Sequence, residues 1–196
     1  MTPNQHEGDW PPIVVRRLMG LGAMGTPALH SATDLAEWVQ GGFSDWQLWL
    51  NYVAFLPMPA VMLGLYVVQR SRASVWAMAG AMVYGFAFIY FAHTTLFALS
   101  AHAPDYASLW AALGGTYTVH GGLMVAGGLA FGIATARARV FPAWTAWCFT
   151  GGIALNLVLF LLPAPDALQM AGSALRNLGL IGMGWALVRG EPDGRV

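Results

Sequence analysis

Residues 73–136 read ASVWAMAGAMVYGFAFIYFAHTTLFALSAHAPDYASLWAALGGTYTVHGGLMVAGGLAFGIATA and carry one formal charge, Asp105. Arg70 and Arg72 stand before the stretch, and Arg137 and Arg139 follow it. A membrane-spanning helix needs about 20 mostly apolar residues, and one fits on each side of Asp105. The stretch therefore reads as a helical hairpin with an acidic turn at one end and arginines at the other. Barrel strands would instead be near ten residues long and would alternate apolar and polar positions.

The same punctuation continues outward. Uncharged runs cover 18–33, 46–69 and 140–165, and 167–188 is interrupted only by Arg176. Six helices follow, over 13–32, 46–69, 74–100, 107–135, 142–163 and 167–188, with tails at 1–12 and 190–196. The run 18–33 reaches spanning length only with help from Ile13–Val15. Composition agrees with an all-α polytopic bundle: 57% of the 196 residues are hydrophobic and 9% charged, against roughly 25% charged in soluble domains. A net charge of zero offers no basic face for nucleic acid. The single cysteine, Cys148, excludes an internal disulfide framework.

Arginine placement sets orientation. Arg16, Arg17, Arg70, Arg72, Arg137, Arg139, Arg189 and Arg195 fall on one side of a six-pass topology, while Asp34, Glu37, Asp45, Asp105 and Asp166 fall in the opposite loops. The positive-inside rule makes both termini cytoplasmic, in a bacterial-type inner membrane. Fifteen residues, including Glu7 and Asp9, precede Arg16, and no small-x-small cleavage site follows, so the first helix reads as retained rather than as a cleaved signal. The loop 31–45 places Asp34, Glu37 and Trp38 at helical spacing, as in a short interfacial helix.

Between helices in hydrocarbon, close packing and hydrogen bonds replace apolar burial as the drive to associate. Seven glycines in the fourth span, with Gly128 and Gly132 one small-xxx-small step apart, make it a central helix. Pro57 and Pro59 bend the second.

Polar groups at membrane depth carry the functional signal. Arg176 sits at the middle of the last span, where its guanidinium is costly to insert and cannot shed its charge. Gln169, Ser173, Arg176 and Asn177 share one helix face, running from the outer surface to the midplane. Tyr117 and His120, Tyr90 and His93, Asn156, Asn51 and His30 put further polar groups in the outer halves of the other helices, while the inner half has few. The pattern is that of a polar cleft open outward, with a carboxylate from the 31–45 loop, Asp34 or Glu37, or else an anionic ligand, completing the Arg176 pair.

From this come several readings. The leading one is binding of a small hydrophobic or amphipathic ligand in a cavity open to the non-cytoplasmic side, held by Arg176, Asn177, Ser173, His120, Tyr117, His93, Asn156, Asn51 and Tyr90. The alternative is haem or metal ligated by His30, His93 or His120, although no C-x-x-C-H or H-E-x-x-H motif is present. A structural subunit of a homo-oligomer or larger membrane complex is a third. An enzyme acting on a lipid or isoprenoid-like substrate would use His93 or His120 as base, without any nucleophile–base spacing to support it.

The stretch from Gly132 through Arg137, Arg139 and Pro142 to Trp147 resembles the cytoplasmic turn of uncharacterised bacterial six-helix integral membrane proteins. The ending Leu178-Gly179-Leu180 through Trp185 to Gly190 is similar to their last helix. That resemblance implies six helices and an inner-membrane location, and no activity. The chain departs from it at Ser31, where the family often has proline.

Overall fold

The computed structural model describes residues 13–162 and 166–190, so the expected tail 1–12, the expected tail 190–196 beyond Gly190, and the turn 163–165 lie outside the described residues. Within them every regular element is helical: α1 Ile13–Gln40, α2 Asp45–Phe55, α3 Met58–Gln69, α4 Val75–Ala101, α5 Tyr106–Leu113, α6 Gly115–Ala138, α7 Ala143–Leu161 and α8 Asp166–Arg189. Four stretches are long and apolar enough to cross a membrane: Asp45–Gln69 (α2 with α3), Val75–Ala101, Gly115–Ala138 and Ala143–Leu161. The remaining two expected spans lie in α1 and α8, which have the length, at 28 and 24 residues. Their apolar character is diluted, by Arg16, Arg17, Asp34 and Glu37 in α1 and by Gln169, Arg176 and Asn177 in α8.

Three boundaries differ from the sequence reading, each for a local reason. The expected 31–45 loop is mostly helix, because nothing breaks α1 before Gly41-Gly42. There the chain turns with φ of 72° and 155°, and the Gly41 and Gly42 amides both return to the Glu37 carbonyl, at 2.9 and 3.2 Å, a glycine-terminated helix end. The second span is two helices, since Pro57 has no N–H to continue the ladder and Leu56 makes the last bond, to Tyr52 O at 3.2 Å. The fourth is parted at Gly114, whose φ of 54° suits glycine.

The helices pack as a closed ring. Glycines at the helix crossings record the register, because there a neighbouring helix comes too near for a Cβ. A Cβ on Gly80 would meet the Phe131 backbone, and one on Gly127 the Tyr84 backbone, so α4 and α6 run antiparallel. Gly152 faces the Arg176 backbone and Gly179 the Phe149 backbone, which sets α7 against α8 in the same sense. Gly64 on α3 meets Met19 of α1, and Gly85 on α4 meets Pro59 of α3. Gly128 and Gly132 of α6 face Ile153 and Thr150 of α7, and Gly20 and Gly184 bring α1 against α8 to complete the circle. The glycine-rich fourth span is thus one member of the ring, packed between α4 and α7, rather than a hub.

Alternating directions place Arg16, Arg70, Arg72, Arg137, Arg139 and Arg189 at one end of the bundle, the arginine end. The interior there is filled: Met62, Leu65, Tyr84, Phe131, Phe149, Ile153, Leu180, Met183 and Leu187 are fully buried. One polar link crosses it, Gln69 Nε2 donating to Thr135 Oγ1 at 2.9 Å. At the other end, carrying Asp34, Glu37, Asp45 and Asp105, the ring is hollow.

Gly152→Val wedges a branched side chain into the α7–α8 backbone contact, and a loss of about 1–3 kcal/mol is expected. Gly121, which has open space around it, should accept alanine with no loss and a gain of up to about 1 kcal/mol. Thermal unfolding of detergent-solubilised protein compares the two.

Candidate functional site

At the boundary between the filled and hollow halves lies Arg176, 2% exposed. Its Nη2 donates to His30 Nδ1 at 3.4 Å, its Nη1 to Met124 Sδ at 3.2 Å, and its Nε to Asn177 Oδ1 at 3.4 Å. A guanidinium has donors only, so His30 Nδ1 acts as the acceptor. The ring proton then sits on Nε2, which faces Asp34 Oδ1 at 3.3 Å. The carboxylate expected from a folded-in loop is therefore present, but on helix α1 and one imidazole removed from Arg176. It is Asp34, and among the described residues no carboxylate forms an ion pair with Arg176 directly.

The surrounding groups hold this relay in place. Asn177 Nδ2 donates to Ser31 Oγ at 2.9 Å and stands 3.5 Å from His30 Nδ1. Thr33 Oγ1 donates to the His30 carbonyl at 2.8 Å and lies 3.2 Å from Asn51 Oδ1. The His30 ring meets Phe55 edge-on, with centroids 4.9 Å apart.

Above Arg176 opens a cavity of about 730 Å³. Its polar lining comes from His30, Asp34, Glu37, Asn51, Thr94, Thr95, Asn156, Gln169, Ser173 and Arg176, and its apolar walls from Phe55, Phe88, Phe91, Trp110, Tyr117 and Phe160. The roof is α5. Phe43 N donates to Pro104 O at 2.8 Å, tying the α1–α2 turn to the approach to α5. Asp105 caps α5 by accepting from Ser108 N at 2.8 Å, Leu109 joins Leu48 and Ala98 in a small outer core, and Trp110 stacks on Phe160 at 5.5 Å. The Ser108 amide holds the Asp105 carboxyl below its ordinary range.

Of the residues singled out from sequence, Arg176, Ser173, Asn156, Asn51 and Tyr117 come together on the cavity wall. Asn156 Nδ2 donates to Ser173 Oγ at 3.2 Å, beside Gly172, where any Cβ would strike the Asn156 amide. Asn177 stands behind the wall as a brace. His120 and Tyr90 do not line the cavity. Their rings stack at 4.4 Å in the α4–α6 seam, and since Thr94 Oγ1 spends its proton on the Tyr90 carbonyl, it accepts from His120 Nδ1 at 3.3 Å. His93 points away, onto an outer groove of the bundle. The three histidines so share no site, both nitrogens of His30 are engaged, and no cluster of three or more metal-ligating side chains occurs among the described residues.

Thr33, Thr94, Thr95 and Met124 belong to the site's surroundings and were not marked as binding groups by sequence. Thr33 lay in the supposed loop, and a methionine in an apolar helix carries no signal of its role. No protein-family model, curated protein or solved structure matches the chain.

His30→Ala strips Arg176 and Asp34 of their shared partner. A loss of about 1.5–3 kcal/mol is expected, typical of a hydrogen bond to a charged group, while Asp34→Asn, which keeps an acceptor for Nε2–H, should lose less than half as much. Denaturation in detergent measures both. Separately, a carboxyl held below its usual range stabilises above that range and loses its effect as pH falls through it. Acidification should therefore lower the protection factor of the Ser108 amide, its exchange rate divided into the intrinsic rate at the same pH, and Asp105→Asn, also a good helix cap, should abolish that pH dependence of protection.

Proposed function

We propose that the chain is a six-pass integral membrane protein of a bacterial-type inner membrane, both ends cytoplasmic, that holds a small amphipathic ligand in its outer cavity. The observation that carries this reading is a buried guanidinium on the floor of a void, with no carboxylate in direct contact among the described residues. In a low-dielectric interior such a cation favours any acceptor brought to it. The volume, about 730 Å³, falls within the usual range for small-molecule sites, as does an apolar wall with a few placed polar groups.

Electrostatics narrow the head group. Asp34, Glu37 and Asp105 also line the cavity, so a polyanion would meet three carboxylates around one arginine. A neutral acceptor or single anion, such as a carboxylate, suits the floor better. The aromatic walls take the apolar body. Six passes are supported by the closed ring, in which α1 and α8 complete a circle with the four apolar spans, and by the gathering of arginines at one end.

Mass spectrometry of small molecules that co-purify with the protein tests the reading. Wild-type protein should carry an amphiphile that Arg176→Gln retains about 10- to 100-fold less, the weight of charge-assisted hydrogen bonds. Equal loading of a folded Arg176→Gln variant would overturn the site. A Soret band in the wild-type absorption spectrum would replace it with the haem reading.

A further inference from the structure

A second, smaller hollow of about 230 Å³ lies on the outside of the ring, where the α2–α3 break faces α4. Leu56, Pro59, Ile89 and Leu96 form its sides, with His93 at its edge. Its back is made by Phe55 and Phe88, and these two rings also form part of the wall of the inner cavity. They meet edge to face with centroids 5.3 Å apart and are 7% and 2% exposed. Immediately behind Phe55 is the His30 ring, which accepts from Arg176. Two side chains thus separate a groove on two apolar, membrane-length segments from the relay on the cavity floor.

The cause of the groove is covalent. Pro57 interrupts the helix, and Leu56 and Pro59 stand on either side of the break, so the ring's outer surface is notched at that level.

We propose that this notch is a lateral entrance, through which a single-chain amphiphile dissolved in the bilayer passes head first between Phe55 and Phe88 to Arg176, its apolar chain following along the groove into the cavity. The inference rests on the ligand-binding reading above and adds the source and class of the ligand: a membrane-borne molecule with one chain and a small head. Lipid tails are as apolar as the groove, so burial of the chain contributes little affinity. The groove acts as a path, and retention comes from the polar floor. A water-borne ligand would have no use for it, entering instead past Trp38 and Tyr106 under α5.

The test uses full-length protein in phosphatidylcholine vesicles with palmitic acid bearing a mid-chain diazirine, irradiated and mapped by mass spectrometry. Wild-type adducts are expected on Pro59 and Ile89 in the groove and on Phe91 or Thr95 within the cavity. Leu56→Trp and Leu96→Trp fill the notch from positions that are 53% and 36% exposed, so neither burdens the core. Either variant should lose groove and cavity adducts together. Cavity adducts that persist in both tryptophan variants would overturn the lateral entrance and leave the ligand-binding reading standing. Adducts spread evenly over lipid-facing helices, with none favouring the notch, would also overturn it. Arg176→Gln separates the two proposals: losing the cavity adducts while keeping those of the groove supports the path, and unchanged cavity adducts count against the binding site itself.

Discussion

A guanidinium that cannot give up its proton, placed inside an apolar bundle, constrains the whole structure. Arg176 needs acceptors and no single neighbour supplies them all, so three helices are drawn in. α1 brings His30, α6 brings Met124, and α8 contributes Asn177 from its own next position. For α8 to hold this position it must lie close to α1 and α7, which it does through glycines at the crossings: Gly20 with Gly184, and Gly152 of α7 and Gly179 of α8 where those two helices meet. Any side chain there would move the arginine off its partners. Backbone proximity and the buried charge are one design.

Bound to this is the division of the interior. Toward the arginine end the ring is plugged by the fully buried Phe131, Phe149, Met183 and Leu187. Toward the acidic end the same helices turn polar side chains and aromatic rings inward around a void. Arg176 lies where the two meet. Asp34 reaches it electrostatically through His30, so the floor presents a cation whose balancing negative charge is set back. That arrangement keeps the guanidinium oriented without occupying the face it turns to the void.

Much of this was legible in the sequence, and the failures have physical causes. Charge spacing located the helices, because hydrocarbon tolerates so few ionised groups, and Arg176 announced itself by the cost of its position. The face Gln169, Ser173, Arg176 came out on the cavity wall, as helical periodicity requires. Helix ends were poorly read: the reach of α1 to Gln40 hid in a polar segment that resembles a loop, since Asp34 and Glu37 serve the cavity rather than the solvent. Depth in the membrane was taken as a sign of a shared site, yet depth says nothing about azimuth. His93 and His120 lie on one helix pair at similar levels but on different faces, one turned outward and one packed in a seam. Met124 as an arginine partner had no signature at all.

The circle of helices closes only between the first and the last. His30, Ser31 and Gly20 are made before Arg176, Asn177 and Gly184, so more than 140 intervening residues are added while α1 waits with an unfilled flank. Until α8 arrives there is no floor and no relay, only an open crescent. The hollow forms only when α8 docks on α1, and the quality of that closure decides whether translation has yielded a hollow bundle or merely a set of helices.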